Sequence, residues 1–278
     1  MRIPTLTALA AIALLALSAC SASSGDPAAP SSSTARVVTV AVENNSKPLS
    51  YTDTSGKLTG YEVELLRAVD ERLPEYSFEI ESSSSEDANL VGLDTGKFAL
   101  VGGGYYRTAA REAKYLYGQQ NVGVSAILIW KRAGDTSINT IDDLATKKLA
   151  PVTPNGGIYN LLVDYNNAHP NAPINIPVAE NVSMAERVKG VASGQYDALV
   201  IPNNLDVASI AKELQLDVTR ADDPIEVRPT YVLFNKAETE VAGAVDQALI
   251  ELKADGTLSK LSEQFFNEDV FTYTITKP

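Results

Sequence analysis

The chain has one cysteine, Cys20, and one histidine, His169, in 278 residues. A lone cysteine excludes an internal disulfide. With only one histidine beside it, no His/Cys cluster is available to hold a metal, and no cofactor is implied. Neither a G-x-S-x-G nucleophile elbow nor a phosphate-cradling P-loop occurs. Positive charge is scarce as well, with 23 Lys+Arg against 35 Asp+Glu and a net charge of −12. From residue 20 onward, without Arg2, the count is 22 against 35, a net −13. That balance opposes nucleic-acid binding, which needs a basic face, and adsorption on anionic lipid. Long apolar runs are limited to residues 6–17, too short for a comfortable permanent membrane span.

That run has the form of a targeting segment: Arg2 supplies positive charge, the apolar stretch follows, and Leu17-Ser18-Ala19-Cys20 resembles a bacterial lipobox. Residues 1–19 are therefore expected to be a signal peptide, with cleavage before Cys20 and lipidation of its thiol. The alternative is an ordinary secretory signal with a chance cysteine. Residues 20–36, rich in Ser, Ala and Pro, lack hydrophobic periodicity and read as a flexible tether. The expected architecture is a globular body held at the outer face of the cell membrane.

The body is organised around residues 90–118, LVGLDTGKFALVGGGYYRTAAREAKYLYG. They read as a helix end, a glycine turn, a buried strand at 98–101 and a loop carrying Arg107 and Arg111. Three glycines, Gly102 to Gly104, would let backbone or ligand come close at the strand's C-terminal end, where open α/β sheets bind ligands. Residues 190–200 echo 92–101, with paired glycines offset by 98 (190 from 92, 194 from 96). The echo suggests two α/β lobes of similar build, with a ligand site between them. It also fits the common use of glycine at helix-to-strand turns.

Upstream, residues 37–43 read as a buried strand. Tyr61, Leu65, Val69 and Leu73 recur every four residues as a helix stripe that Pro74 stops. A strand at 77–81 and a helix at 87–94 complete a β-α-β-α-β order, which implies a mainly parallel sheet. Downstream, Thr140 and Asp143 predict a capped helical turn, and 149–153 and 174–178 read as strands. A helix is expected from Asn155-Gly156-Gly157, and Ser183 to Glu186 form a capping box. Residues 122–130 and 228–234 are long extended runs that bracket the middle of the chain. They predict a second lobe inserted into the first: lobe I at 37–127 plus 231–278, lobe II at 128–230, with the two runs as a hinge.

These segments together resemble the bacterial extracellular solute-binding proteins of family 3, amino-acid receptors of ABC importers. The matching pieces are GKLTGYEVELLRAV (56–69), GLDTGKFALV (92–101), TAAR (108–111), IDDLATKKL (141–149), SGQYDALV (193–200), PTYVLFNK (229–236) and DGTLSKLSEQFF (255–266), in the family's order. GYEVELLRAVDERLPEY (60–76) and GLDTGKF (92–98) resemble the cystine and sulfur-amino-acid subgroup. The resemblance implies an α/β, two-lobed periplasmic-binding-protein fold that closes on a small ligand. It implies a monomer that hands this ligand to a membrane permease, and no enzymatic activity.

The resemblance also assigns roles. The T-x-x-R arginine, Arg111, would pair with the ligand's α-carboxylate. Gly156 and Gly157, with Asn155, would complete the carboxylate site with backbone N–H groups, as a helix N-terminus can, although a tight turn is the alternative. Glu43 would face the ligand, and Gly104, Tyr105 and Tyr106 would line the pocket, with only one of the two tyrosines directed into it. The family's ammonium-binding aspartate is replaced here by Pro202, followed by Asn203 and Asn204, and its F-S-x-P-Y segment by residues 117–121, YGQQN. Either Glu43 or Asn203 takes over, or the ligand is not a plain α-amino acid. Two rival classes remain: a dehydratase-like enzyme on the same scaffold, for which Glu43 is the only nameable acid/base, and a sensor or adhesion lipoprotein.

Overall fold

The structure, a computed structural model, describes residues 35–154, 156–180 and 182–277. The expected signal peptide, Cys20, most of the tether and Asn155 lie outside the described residues. In chain order the strands and helices are β1 (Arg36–Glu43), β2 (Asn45–Ser46), β3 (Ser50–Thr52), β4 (Leu58–Thr59), α1 (Tyr61–Arg72), β5 (Tyr76–Ser83) and α2 (Glu86–Asp94). They continue with β6 (Leu100–Tyr105), α3 (Ala109–Lys114), β7 (Leu116–Tyr117), β8 (Gly123–Arg132), α4 (Gly157–Ala168) and α5 (Met184–Ser193). The last are β9 (Ala198–Pro202), α6 (Val207–Glu213), β10 (Val218–Arg220), β11 (Glu226–Phe234), α7 (Thr239–Ala254) and α8 (Thr257–Phe266).

β1 lies between β5 and β6, parallel to both. Its alternation decides what covers each face. Val38, Val40 and Val42 meet Leu66, Val245 and Leu249 from α1 and α7. Ala41 points the other way, into a cluster with Leu93, Phe98 and Val101. A strand buried on both faces reads as a near-continuous apolar run, as 37–42 does. α1 buries Tyr61, Leu65 and Val69 on the stripe its spacing predicts and ends at Arg72, before Pro74.

β8 and β9 repeat this logic. Ile127, Ile129, Ala198 and Val200 join Leu144 and Leu162 in one cluster. Leu199 and Ile201 turn to Val188 and Val191 of α5 in another. β11 links the two regions: its first half pairs antiparallel with β8, its second half with β6.

The echoed segments are the same structural module twice. Each ends a helix, turns at a glycine of positive φ (Gly96 at 73°, Gly194 at 81°) and lays an aromatic ring over the glycine four residues earlier. A Cβ at Gly92 would stand 2.3 Å from the Phe98 ring, and one at Gly190 2.5 Å from the Tyr196 ring. The aromatic N–H donates to that same glycine's carbonyl in both copies, at 3.2 and 3.0 Å.

Several sequence expectations are corrected. The strands at 149–153 and 174–178 reduce to single bridges, Leu149 to Ala198 and Val152 to Val178. Pro151, Pro154, Pro173 and Pro177 remove the donors a ladder needs. The strand expected at 98–101 instead runs through the glycines to Tyr105. Arg111 sits in a helix, α3, not a loop. The turn at 140–143 is a 3-10 helix over Asp142–Thr146 without a side-chain cap. There Thr140 gives its N–H and its hydroxyl to the Asp143 carboxylate instead of capping. The small sheet of β2, β3 and β4 has no counterpart in the sequence reading.

Candidate functional site

Glu43 ends β1 and Tyr105 ends β6, so both stand at the C-terminal ends of parallel strands. Thr108 follows as the N-cap of α3, its hydroxyl accepting the Arg111 N–H at 3.3 Å. The cap aims Arg111 back at β6, where its guanidinium lies 4.9 Å over the Tyr105 ring. The same guanidinium donates through Nη2 to Glu86 Oε1 at the start of α2, and its side chain keeps 28% of its surface exposed. Arg107, by contrast, is held between the Tyr117 and Tyr231 rings, 4.8 and 4.6 Å away, and donates to the Gly118 carbonyl.

Behind this corner stands Glu62, wholly buried on α1. Its Oε1 accepts the Gly104 N–H at 2.7 Å, while Oε2 has no partner. Burial pushes the Glu62 carboxyl up to about 7, with the Glu43 charge adding to the effect and the Gly104 N–H opposing it. Burial, and then the charge of Glu86, also raises Glu43. Gly104 has φ 62°, a backbone suited to glycine, and this conformation presents its N–H to Glu62. Tyr105 is 3% exposed, and its hydroxyl has no partner.

A second set of expected residues meets elsewhere. Tyr106, Gly156 and Gly157 line a cavity of about 380 Å³, with Arg187, Pro202, Glu226 and Arg228. Gly156 is the N-cap of α4, so the free N–H groups of that helix belong to this wall. The Tyr106 hydroxyl and Ser125 Oγ are 2.7 Å apart, and Arg228 lies over the Tyr106 ring at 5.3 Å. The adjacent tyrosines at the end of β6 thus divide their duties: Tyr105, its last residue, supports Arg111, and Tyr106, just beyond it, faces the cavity.

Asn203 joins neither set. Its Oδ1 accepts the Ala126 N–H at 2.9 Å and its Nδ2 donates to Glu268 at 3.2 Å, beside a separate hollow near Pro48. Asp197 serves locally, accepting the Lys148 N–H and lying 3.7 Å from Arg132. His169 caps α4 and stacks on Tyr165.

Sequence reasoning missed Glu62, Glu86, Arg187, Glu226 and Arg228. Two left a signal. Glu62 precedes Leu66 by four on the buried side of α1, and Arg187 precedes Val191 by four on that of α5. Arg187, buried to 7% exposure with no partner for its Nε, also lies 98 residues after Asn89, which is fully buried without a partner for its amide atoms.

Chemically, the first corner offers a cation braced on an aromatic face beside acidic groups. That combination suits a ligand carrying both carboxylate and ammonium. The second offers guanidinium groups and a helix N-terminus around an apolar cavity. Among the described residues no helix is long and apolar enough to cross a membrane.

The chain matches the bacterial extracellular solute-binding proteins, family 3, over residues 38–268. It is 32% identical over 243 residues to the probable amino-acid-binding protein YxeM of Bacillus subtilis, covering 86% of this chain and 88% of that one. It is 30% identical to the L-cystine-binding protein TcyA of Bacillus subtilis, covering 84% and 82%. Its fold is similar to that of the L-cystine solute receptor of Neisseria gonorrhoeae in the unliganded open conformation. That likeness has a TM-score of 0.69 at 26% identity and covers 85% of this chain and 95% of the receptor. The fold is thus the two-lobed fold of periplasmic solute-binding proteins, and the chain belongs to the bacterial extracellular solute-binding proteins, family 3.

Proposed function

We propose that this protein captures a small carboxylate-bearing solute, an amino acid or a derivative, and delivers it to the permease of an ABC importer. The observation that carries this reading is the placement of Arg111. Its guanidinium stands at the C-terminal ends of two parallel strands, braced on Tyr105, within reach of solvent and paired with Glu86, whose charge also reaches Glu43. A carboxylate arriving there would compete with Glu86 for the guanidinium, and Glu43 and Glu86 would meet the ligand's ammonium. This offers an answer to the missing aspartate at Pro202 without Asn203, whose amide is already engaged. The relatives named for amino acids and L-cystine favour the same solute class.

Lobe I would comprise 37–127 plus 231–278 and lobe II 128–230. Supporting this division, β8 exchanges β11 for β9 at Ile127, and β11 exchanges β8 for β6 around Tyr231. The two strands would act as the hinge that closes on the solute. The protein acts by binding and not by turnover, works as a monomer, and is held outside the cell membrane through lipidated Cys20. The test is a thermal-shift screen of residues 36–278 against the proteinogenic amino acids, L-cystine and related acids. A ligand at a hundred times its Kd stabilises by about 2.7 kcal/mol, so binders stand out. A screen in which none of these compounds raises the Tm contradicts the proposal.

A further inference from the structure

Glu62 keeps one carboxyl oxygen, Oε2, buried and without a protein partner, while Oε1 takes the Gly104 N–H. A buried acceptor of this kind is costly unless something meets it. Glu62 lines a small hollow of about 10 Å³ where α1, β6, β8 and β11 come together, with Gly104, Ser125 and Thr230 on its other sides. One water needs about 10–15 Å³ and takes about three hydrogen bonds when buried. Glu62 Oε2 and the hydroxyl residues Ser125 and Thr230 offer it three partners. Ser125 Oγ also stands 2.7 Å from the Tyr106 hydroxyl, and Tyr106 lines the larger cavity of about 380 Å³ at the start of α4. One pair of hydroxyls thus joins the hollow of the buried acid to that cavity.

We propose that one internal water fills the hollow and completes a hydrogen-bonded chain, Glu62–water–Ser125–Tyr106, through which the protonation of Glu62 decides whether Tyr106 offers the larger cavity a hydrogen or a lone pair. The proposal deepens the receptor reading above, on which it rests for the role of the cavity, by naming a control on it. With Glu62 ionised, the water donates to Oε2 and to Thr230 and accepts from Ser125. The Ser125 oxygen accepts from Tyr106, and a Tyr106 lone pair faces the cavity. With Glu62 protonated, every bond along the chain reverses: Oε2–H donates to the water, the water to Ser125, Ser125 to Tyr106, and the Tyr106 O–H points into the cavity. A proton arriving at Tyr106 from the cavity makes the exchange. Each oxygen passes its own hydrogen one step inward, Glu62 gains one, and no other group changes its charge.

Burial raises Glu62 to about 7, so both states are populated near neutral pH. Glu43 on β1 raises it further, and the Gly103 and Gly104 N–H groups on β6 oppose. Burial holds the Tyr61 and Tyr105 hydroxyls, which feel the Glu62 charge, above the ordinary tyrosine range. Among the described residues the rest of the wall, on β8, β11 and α8, carries no titratable group. Burial also raises Tyr106, with Ser125 and Arg228 opposing and Glu226 adding. Low pH therefore favours a hydrogen-bond acceptor on the solute at Tyr106, and high pH a donor.

The test needs no solute. Tyrosine isotope-labelled at Cζ reports its hydrogen bonding by NMR, and Tyr106→Phe identifies the resonance. In wild type the Tyr106 signal should titrate with a midpoint at about pH 7. It should stay flat across neutral pH in Glu62→Gln, which cannot ionise, and in Ser125→Ala, which breaks the chain and keeps the charge. A high-resolution crystal structure of the wild type should show one water within hydrogen-bond distance of both Glu62 Oε2 and Ser125 Oγ. A flat wild-type signal, a titration that survives Ser125→Ala, or a hollow without a water overturns the proposal. Failure of the solute screen would sink the receptor reading alone and leave this chain standing.

Discussion

Replacing Glu62 with Gln should remove a pH dependence of stability that runs against the usual direction for a carboxylate. Glu62 is fully buried, one carboxyl oxygen takes the Gly104 N–H, and the other has no partner. Its folded pKa of about 7 lies above the ordinary 4.5, so the folded state binds this proton more tightly than the unfolded state. The protonated group stabilises the fold fully below about pH 4.5, and that contribution is lost as the pH rises through about 7. A rise from 4.5 to about 7 corresponds to about 3 kcal/mol between those limits. The amide of Glu62→Gln can accept the same Gly104 N–H and never ionises. Urea unfolding of wild type and variant at pH 5 and pH 8 reads the difference directly. Between the two pH values wild type should lose about 2.5 kcal/mol relative to Glu62→Gln, since part of the contribution is already lost at pH 5. Other carboxylates cancel in that comparison. Parallel pH profiles for the two proteins would refute the reasoning.

Gly92→Ala should destabilise by about 1–3 kcal/mol despite alanine's better helix propensity, because its Cβ would strike the buried Phe98 ring. Gly190→Ala should cost less, because the half-buried Tyr196 ring can swing aside; equal Tm losses would contradict this contrast. Ser262→Ala should cost about 1–3 kcal/mol in urea unfolding. Its buried hydroxyl donates to the Glu268 carbonyl and accepts the Val270 N–H, so both backbone groups would be stranded.

The sequence reading recovers the fold best where a single physical rule acts alone. The stripe of α1, the capping box of Ser183 and Glu186, and the run of β1 depend on burial and spacing over a few residues. The repeated glycine module was legible because a ring must fit over a residue without Cβ, and both copies obey that rule. Residues 149–153 and 174–178 look like strands by apolar content, yet their prolines prevent ladders. The sheet of β2 to β4 was invisible because its strands are two or three residues long. At the candidate site, the guanidinium and carboxylate types were readable and their partners were not. Arg111 reaches Glu86 across 25 residues of chain, a contact no local pattern encodes. Glu62 and Arg187 escaped because a charged residue beside an apolar stripe is normally taken as solvent-facing, and here each is buried.

Calorimetry of the strongest solute from the screen, against wild type and Arg111→Ala, tests the carboxylate site most directly. The variant should keep its fold, since the pair it loses with Glu86 is half exposed and such pairs contribute little. Its affinity should fall by about 2 kcal/mol or more, roughly thirtyfold in Kd. An unchanged Kd in a folded Arg111→Ala protein would contradict the account.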